Sequence, residues 1–340
     1  MKKIKILSID GGGIRGILPG VVLDRLEQKL QQASGNSNTR LADVFDFMAG
    51  TSTGGILTLA YLTPDQQQRP RLSAGEAVNL YLENGDKIFR TGLWQKIRNG
   101  AGLTDEKYHA GELEKALKDT FGDAKLSDLL KPCLISAYDI GNGKPHFFKQ
   151  HRSSNAIYNF LVKDVARATS AAPTYFKAAR VTNDLKTPFA LVDGGVYANN
   201  PALAAYAEVR TMDFNSSDEL PTAKDMLIIS LGTGSTSKKY DYQKAKDWGA
   251  IGWIRPVIEI MMSGNSRTVH YYLHQIYHSL DEKDRADYYR LEPELIKADT
   301  EMDNASPKNM SNLKEDALNY LCLEKNDQQL DEIVNKLLEY

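Results

Sequence analysis

The amino-acid sequence predicts an α/β fold with a central, mostly parallel sheet. An apolar, β-branched segment at 4–9 runs into a glycine-rich turn and then into a segment whose apolar residues have helical spacing. The same succession of strand, glycine turn and helix returns over 44–62. Strands that alternate with helices in this way are typical of parallel sheets, because each helix carries the chain back to begin the next strand.

Each element is predicted from its local pattern, in chain order. Residues 4–9 have the composition of a strand buried on both faces. Apolar residues recur at the spacing of one helix face over 17–32. A second buried strand is predicted at 44–49 and a helix at 56–62. Further strands are predicted at 133–138, 147–149, 189–192 and 226–231, and further helices at 74–84, 111–120, 157–168 and 202–210.

Strand patterns become rare in the last third of the chain. After about residue 240 most segments have the spacing of amphipathic helices, and this is clearest in the last 30 residues. We therefore expect one main domain over 1–240 and a mainly helical part over 241–340 packed on the same domain. The two glycine turns and the candidate base described below all fall in the first of these ranges.

The composition excludes some classes of function. A formal net charge of −2 argues against a nucleic-acid partner, since such proteins usually have a strong basic excess. Two cysteines, Cys133 and Cys322, are too few for a disulfide framework and favour a cytoplasmic protein. The sequence has no apolar stretch long enough for a secretory signal or for a membrane span of about 18 residues. No motif indicates a stable protein partner.

The second glycine turn contains a candidate nucleophile. The segment 50–54, G-T-S-T-G, has the spacing G-x-S-x-G and lies between an apolar strand and an apolar helix. In such a turn the serine hydroxyl projects beyond the sheet, and the helix N-terminus supplies free N–H groups. We therefore predict that Ser52 is a nucleophile. The alternative interpretation is a glycine-rich turn with an incidental serine.

The first glycine turn has two interpretations. Gly11-x-Gly13-x-x-Gly16 matches the dinucleotide-binding fingerprint, in which the loop binds a nucleotide phosphate. Alternatively, the N–H groups of Gly11, Gly12 and Gly13 form an oxyanion hole, where each donor contributes about 2.7–4 kcal/mol to transition-state stabilisation. The oxyanion hole is favoured, because Asp10 would repel a pyrophosphate and the next strand lacks an acidic residue for a ribose.

A carboxylate at another strand end is a candidate base. Asp193 follows an apolar strand and precedes two glycines, and catalytic groups collect at strand ends on one edge of an α/β sheet. Its alternative role is that of a turn aspartate that accepts backbone N–H bonds. The histidines that could complete a triad, His270, His274 and His278, lie at i, i+4 and i+8 in one predicted helix. We expect them to be ordinary helix residues, because a catalytic histidine usually lies on a loop and no H-E-x-x-H motif supports a metal site.

Together, these motifs resemble those of the patatin-like phospholipase family. The matching segments are 10–16 (D-G-G-G-I-R-G), 50–55 (G-T-S-T-G-G), 168–176, 193–194 and 199–201. The resemblance covers about residues 4–235 and weakens after about residue 240. One departure is Gly195, where many relatives carry alanine.

The resemblance implies a three-layer α/β/α sandwich and a lipid acyl hydrolase, often of the phospholipase A type, that needs no metal or other cofactor. It implies a Ser–Asp dyad, carried here by Ser52 and Asp193, and an oxyanion loop at Gly11, Gly12 and Gly13. Residues 1–240 would then form the catalytic domain. The enzyme would contact membrane lipids from a peripheral position during catalysis.

Two features have open interpretations. Arg15 either orients the oxyanion loop or meets a lipid phosphate, and its structural alternative is a salt bridge with Asp10 or Asp24. Residues 248–262 are apolar and contain two tryptophans, which favour the headgroup region of a bilayer. They are either an interfacial segment or a core helix broken at Pro256. A catalytically inactive protein is disfavoured, because every residue of the motif set is present.

Overall fold

The strands of the protein form one mixed sheet. The computed structural model describes residues 3–90, 111–214, 219–235 and 240–339, and the statements below concern these residues. Eight strands of this part of the chain belong to the sheet. The strands are β1 (Ile4–Ile9), β2 (Phe47–Thr51), β3 (Cys133–Asp139), β4 (Lys144–Lys149), β5 (Ala179–Thr182), β6 (Pro188–Asp193), β7 (Met226–Leu231) and β8 (Tyr288–Leu291).

The centre of the sheet is parallel and one flank is antiparallel. Strands β3, β2, β1, β7 and β8 are neighbours in that order, and all of their pairings are parallel. Strands β4, β5 and β6 pair in antiparallel fashion beside β3. The flank is antiparallel because tight hairpin turns, with positive φ at Gly143 and Lys186, join β3 to β4 and β5 to β6. The predicted mostly parallel sheet is therefore confirmed for its centre.

Helices cover both faces of the sheet. They are α1 (Ile17–Ser34), α2 (Leu41–Val44), α3 (Thr53–Leu62), α4 (Ala74–Arg90), α5 (Gly111–Phe121), α6 (Val162–Thr169), α7 (Gly195–Ala198), α8 (Ala202–Val209), α9 (Tyr242–Ala245), α10 (Ala250–His278), α11 (Glu282–Arg285), α12 (Pro307–Cys322) and α13 (Glu324–Leu338). A short 3₁₀ turn, Gly13–Gly16, precedes α1.

Two apolar cores lie on opposite faces of the sheet. Leu7 and Ile9 belong to the larger core, with residues of α1, α3 and α12, whereas Ile4 and Ile6 belong to the smaller core with residues of α8 and α10. Every residue of β1 is buried, as expected for a strand that is covered on both faces. The three-layer α/β/α sandwich is confirmed.

Several element boundaries differ from the prediction. β2 begins at Phe47, because residues 41–44 form a short helix whose first turn is capped by the Asp43 carboxylate, which accepts a 2.8 Å bond from Arg40 N. The predicted helix at 157–168 begins only at Val162. Strands β5 and β8 were not predicted, since four residues each are too short to show a period.

The part of the chain after residue 240 is built into the same fold. Strand β8 extends the sheet beside β7, and α12 and α13 pack on α1. The expected break at Pro256 is wrong, because α10 is continuous from Ala250 to His278. Pro256 lies in the second turn of α10, where its missing N–H removes only one early hydrogen bond. The domain boundary at residue 240 stays a prediction. No helix in the described ranges is long and apolar enough to cross a bilayer.

Candidate active site

The pairing of β3 brings the two candidate catalytic residues together. Along one edge of β3, β2 ends with Thr51 opposite Ser136, and β6 ends with Asp193 opposite Ala137. Because β4 occupies the other edge of β3, β2 and β6 must share this edge and meet end to end. Ser52, the residue after β2, therefore adjoins Asp193, the last residue of β6.

Ser52 lies in a strained turn between β2 and α3. Its φ of 53° and ψ of −121° fall outside the regions that side-chain-bearing residues favour, at a cost of about 1–3 kcal/mol. The turn is tight because α3 begins directly against β1. A Cβ on Gly54 would lie only 2.1 Å from the Ile9 carbonyl oxygen, so that only glycine fits there. The strand, turn and helix of the predicted nucleophile elbow are all present.

Two hydroxyl groups hold this turn in place. The Ser52 N–H donates to Thr169 Oγ1 at 2.9 Å, and the Thr169 hydroxyl donates to the Ser136 carbonyl oxygen at 2.6 Å. Thr169 ends α6, and it is fully buried. No role was predicted for it from the sequence, although it lies in the matching segment 168–176. The bonds connect the turn to β3 and so offset part of the backbone strain.

The Asp193 carboxyl group is buried beside Ser52. It interacts with the Ser52 hydroxyl as a hydrogen-bond acceptor, and its Oδ1 accepts the Gly195 N–H at 2.7 Å. Burial raises the pKa of Asp193 to about 7, and the two hydrogen bonds only partly offset this effect. A carboxylate with a pKa near neutrality accepts a proton more readily than an ordinary aspartate does. The pair thus has the chemistry of a nucleophile and its base.

The first glycine loop lies against Ser52. A Cβ on Gly11 would be 3.2 Å from Ser52 Cβ. The Gly11 N–H donates to the Asn199 carbonyl oxygen at 3.0 Å, whereas no acceptor for the N–H groups of Gly12 and Gly13 occurs among the described residues. Gly13 has a φ of 60°, and it also lines the cavity at Ser52. Of the three predicted donors, Gly12 and Gly13 therefore remain available to an oxyanion.

Asp10 does not pair with a residue of its own loop. Its carboxylate accepts two hydrogen bonds from the Arg290 guanidinium, at 2.9 and 2.7 Å, and one from the Ser266 hydroxyl at 2.9 Å. Burial raises the pKa of Asp10, while the adjacent Arg290 guanidinium opposes this rise and favours the ionised carboxylate. Arg290 belongs to β8, and no sequence motif pointed to it. The bidentate pair fixes the start of the glycine loop.

Arg15 contacts the glycine loop instead of an acidic partner. Its Nε lies 3.4 Å from the Gly12 carbonyl oxygen and its Nη1 lies 3.5 Å from the Thr300 carbonyl oxygen. The alternative salt bridge with Asp10 or Asp24 is wrong, because Asp10 is paired with Arg290 and Asp24 accepts a hydrogen bond from Gln28. These contacts are long, and they agree with the loop-orienting interpretation of Arg15.

An apolar cavity of about 120 Å³ opens at Ser52 and Asp193. Helices α3, α4 and α5 supply one wall, and α10 supplies another. Its apolar lining includes Ile56, Leu80, Leu113, Leu117, Ile258 and Met262. A linear hydrocarbon chain suits such a space, since binding sites for apolar ligands are concave and mostly apolar.

A second cavity, of about 480 Å³, lies behind the glycine loop. Its lining is partly polar and includes Arg15, Arg290, Glu292 and His270. His270 Nδ1 lies 3.0 Å from the Tyr288 hydroxyl oxygen, and burial lowers the pKa of this histidine. Neither His274 nor His278 lines the Ser52 cavity. Among the described residues, no cluster of histidine, cysteine or carboxylate side chains has metal-binding geometry.

The loop geometry does not favour nucleotide binding. In a dinucleotide site the N–H groups at the start of the helix point at the pyrophosphate. Here the Ile14 N–H donates to the Met302 carbonyl oxygen at 2.8 Å, and the Gly11 N–H is also engaged. The expected repulsion by Asp10 is not an argument against a phosphate, because its carboxylate is paired with the Arg290 guanidinium.

The chain is similar to known proteins over most of its length. The model of the patatin-like phospholipase family matches residues 7–206. Patatin-like protein 1 of Arabidopsis thaliana is 35% identical over 92% of this chain and 80% of its own length. Patatin-17 of Solanum cardiophyllum is 35% identical, over 90% of this chain and 81% of its own. A probable inactive patatin-3-Kuras 1 of Solanum tuberosum is 33% identical, over 90% and 83%.

Proposed function

The chain belongs to the patatin-like phospholipase family, whose activity is lipid acyl hydrolysis, and on this premise we propose that it cleaves fatty acyl esters of membrane lipids through a Ser52–Asp193 dyad. The observation that carries this proposal is the meeting of β2 and β6 on one edge of β3. It supports direct proton transfer from the Ser52 hydroxyl to the Asp193 carboxylate. One relative is described as inactive, so family membership alone does not establish turnover.

The first half of the reaction acylates Ser52. Asp193 accepts the hydroxyl proton while Ser52 Oγ attacks the ester carbonyl carbon. The negative charge that develops on the carbonyl oxygen is stabilised by the N–H groups of Gly12 and Gly13. The Thr53 N–H at the start of α3 is a further candidate donor, because the residue after the nucleophile commonly serves this role. Collapse of the intermediate transfers the proton from Asp193 to the leaving lysolipid alcohol.

The second half of the reaction hydrolyses the acyl-enzyme. Asp193 activates a water, whose oxygen attacks the acyl carbon and releases the fatty acid and the free Ser52 hydroxyl. Asn199 is suited to hold this water. Its side-chain N–H₂ donates to the carbonyl oxygen of Gly11 and to the Ser266 hydroxyl, which fixes the orientation of the amide. Its Oδ1 is buried without a partner among the described residues.

The position of that orphan oxygen supports the assignment. Asn199 Oδ1 and Asp193 Oδ1 lie 3.2 and 3.1 Å from one point, the place that a Cβ on Gly195 would occupy. The two acceptors therefore flank one small space beside Ser52. The point itself is within covalent distance of the Gly195 Cα, so a bridging water would lie beyond it, within reach of both oxygens. Such a water would satisfy a buried polar atom that is otherwise unfavourable. Asn199 lies in the matching segment 199–201, but no role was predicted for it from the sequence.

The apolar cavity is suited to an acyl chain. Arg15 is suited to hold the glycine loop in position. Arg15 Nε holds the carbonyl of Gly12, whose own N–H is a proposed oxyanion donor. The alternative role, in which Arg15 meets a lipid phosphate, remains a second proposal. Arg15→Ala would lower hydrolysis of phospholipid and neutral esters equally if the arginine only orients the loop. A loss confined to phospholipid would support the phosphate role.

A cytoplasmic location with peripheral contact to membrane lipids belongs to the same proposal. Both cysteines are free thiols, and Cys133 is buried. Free thiols support a reducing compartment such as the cytoplasm. Burial raises the pKa of the Cys133 thiol to about 12, which keeps it protonated and unreactive.

The proposed function is tested by fatty acid release from mixed phospholipid vesicles in the presence of a chelator. We expect release by the native protein and a loss on the order of 10³-fold or more for Ser52→Ala and Asp193→Asn. Ser170→Ala is the matched control, since Ser170 lines the same cavity but its hydroxyl donates to the Ala166 carbonyl. Equal release by the native protein and Ser52→Ala would refute the dyad.

A further inference from the structure

The first half of α10 is apolar on two faces. On the inner face, Ile258 and Met262 line the Ser52 cavity. On the outer face, Trp253, Val257 and Ile260 are each 41–43% exposed. These three residues follow the i, i+4, i+7 spacing of one helix stripe. A surface helix usually buries one apolar stripe and turns a polar face to water, so this outer stripe is unusual for a helix in contact with water.

The second half of α10 behaves as an ordinary surface helix of the sandwich. Val269, Leu273 and Tyr277 are buried in the smaller core. The exposed residues of this half include Tyr271, Tyr272, His274 and His278, which all carry polar groups. The exposed face of α10 therefore changes from apolar to polar within one continuous helix. This change coincides with the point at which α10 leaves the sheet and reaches the cavity.

Polar contacts fix α10 at this point. Asn265 Oδ1 accepts the Asn200 N–H at 3.0 Å, and Asn265 Nδ2 donates to the Tyr197 carbonyl oxygen at 2.7 Å. The Ser266 hydroxyl donates to Asp10 at 2.9 Å. The first half of α10 is thereby held over the cavity by the same residues that hold the glycine loop. Its outer face has a fixed orientation relative to Ser52.

The outer face is continuous with the mouth of the cavity. Met261 is 45% exposed and also lines the Ser52 cavity, so the same side chain belongs to both surfaces. The Trp253 and Trp248 rings pack edge to face, with centroids 5.1 Å apart, next to this stripe. Tryptophan favours the interface between headgroups and acyl chains. A lipid that left a bilayer at Met261 would reach Ser52 without crossing water.

We infer that this outer stripe, Trp253, Val257, Ile260 and Met261, is the surface that inserts into a lipid bilayer and admits one acyl chain to the cavity. The inference rests on the proposed function, because it takes a membrane lipid as the substrate. A second copy of the chain is the less suitable occupant, since it would cover the mouth of the cavity. The four side chains are uncharged, so insertion depends on apolar contact and little on salt.

The test measures flotation of the full chain with phosphatidylcholine vesicles, in a Ser52→Ala background that leaves the lipid intact. We expect Trp253→Gln/Val257→Glu to reduce the partition coefficient roughly tenfold or more, because two half-exposed apolar side chains lose their burial in lipid. Neither residue lines the Ser52 cavity or the second cavity. Leu185→Glu is the matched control, since Leu185 is 59% exposed in the β5–β6 turn. Equal binding by the double variant and the control would overturn the inference.

A second measurement does not depend on the stability of the double variant. In a Cys322→Ser background, an environment-sensitive fluorophore is attached to Val257→Cys or to Leu185→Cys. We expect a blue shift on vesicle addition at position 257 alone, and the same shift in high salt. No shift at position 257 would overturn the inference. A dimer that Val257→Glu dissociates, with vesicle binding unchanged, would assign the stripe to a second copy and also overturn it.

Activity measurements separate failure of this inference from failure of the proposed function. With Ser52 intact, the double variant should hydrolyse a short-chain ester in monomeric solution within about twofold of the native rate, but vesicles at least about tenfold more slowly. If neither protein hydrolysed either substrate, the proposed function would fail while vesicle binding could still be compared. If the double variant lost both activities equally, the stripe would have a structural role.

Discussion

The Asp193 carboxyl group makes the folded protein less stable as the pH rises. Burial raises its pKa to about 7, from an ordinary value of 3.8. Between these two values the folded protein binds more protons than the unfolded chain, so the free energy of unfolding falls with increasing pH. The contribution of the protonated Asp193 to the free energy of unfolding is fully present below its pKa in the unfolded chain. It is lost as the pH rises through its pKa in the folded protein. Asp193→Asn removes this ionisation and should stabilise the protein at alkaline pH.

The magnitude follows from the two pKa values. A difference of about three pKa units corresponds to roughly 4 kcal/mol, of which about 2–3 kcal/mol falls between pH 5 and pH 8. Asparagine has nearly the same shape, can accept the Gly195 N–H, and can donate to the Ser52 oxygen. Little packing energy should therefore be lost. We expect the unfolding free energy of Asp193→Asn to rise relative to that of the native protein by about this amount between pH 5 and pH 8.

Urea denaturation of both proteins at several pH values measures the effect. The difference in unfolding free energy should widen by about 2–3 kcal/mol from pH 5 to pH 8. Ser52→Ala is an informative companion, because it removes a hydroxyl that lowers the pKa of Asp193 and should shift the transition to higher pH. Parallel stability profiles for the native protein and Asp193→Asn would contradict this prediction, since they would require an ordinary carboxyl pKa.

Three further predictions concern turnover. The second-order rate constant for a short-chain ester should rise about tenfold per pH unit up to a pKa of about 7 and then level off, and a flat profile from pH 5 would contradict an ionised Asp193 as the base. Gly13→Ala should reduce both stability and turnover, because its Cβ would lie 2.2 Å from the Met302 carbonyl oxygen. Gly35 is the control, since it has a similar φ of 65° and a Cβ there would meet no atom within 4 Å. Gly35→Ala should lower stability alone, by about 1 kcal/mol. Asn199→Ala should slow deacylation by roughly tenfold or more, so that pre-steady-state measurement detects a burst of product and a trapped acyl-enzyme. Proportional loss of the burst and the steady-state rate would instead indicate a structural role for Asn199.

Local sequence patterns were sufficient for the central strands and for the catalytic candidates. The β1–α1 and β2–α3 units each combine an apolar strand, a glycine turn and a helix within a short stretch of chain, so their geometry is determined by nearby residues. Ser52 was predictable for the same reason. The strand end at Asp193 was also visible, but its meeting with Ser52 depends on the pairing of β6 and β2 with one edge of β3, which no local pattern specifies.

Long-range partners were not predictable from the sequence. Arg290 binds Asp10 across 280 positions of the chain, and its strand is too short to show a period. The continuity of α10 through Pro256 likewise depends on tertiary contacts. Asn265 and Ser266 fix the helix in the middle, and its second half is buried in the smaller core. Proline alone predicts a break, whereas these contacts offset the loss of one hydrogen bond.

Three unfavourable features occur together at the end of β2. Ser52 has a strained backbone, the Asp193 carboxyl group is buried with a raised pKa, and Asn199 Oδ1 is buried without a partner in the described chain. Each of them opposes folding, and Thr169 stabilises the turn against β3. Structural roles alone would favour an unstrained turn and satisfied polar atoms. Their coincidence at one cavity therefore supports a chemical role for this site on physical grounds that do not depend on family membership.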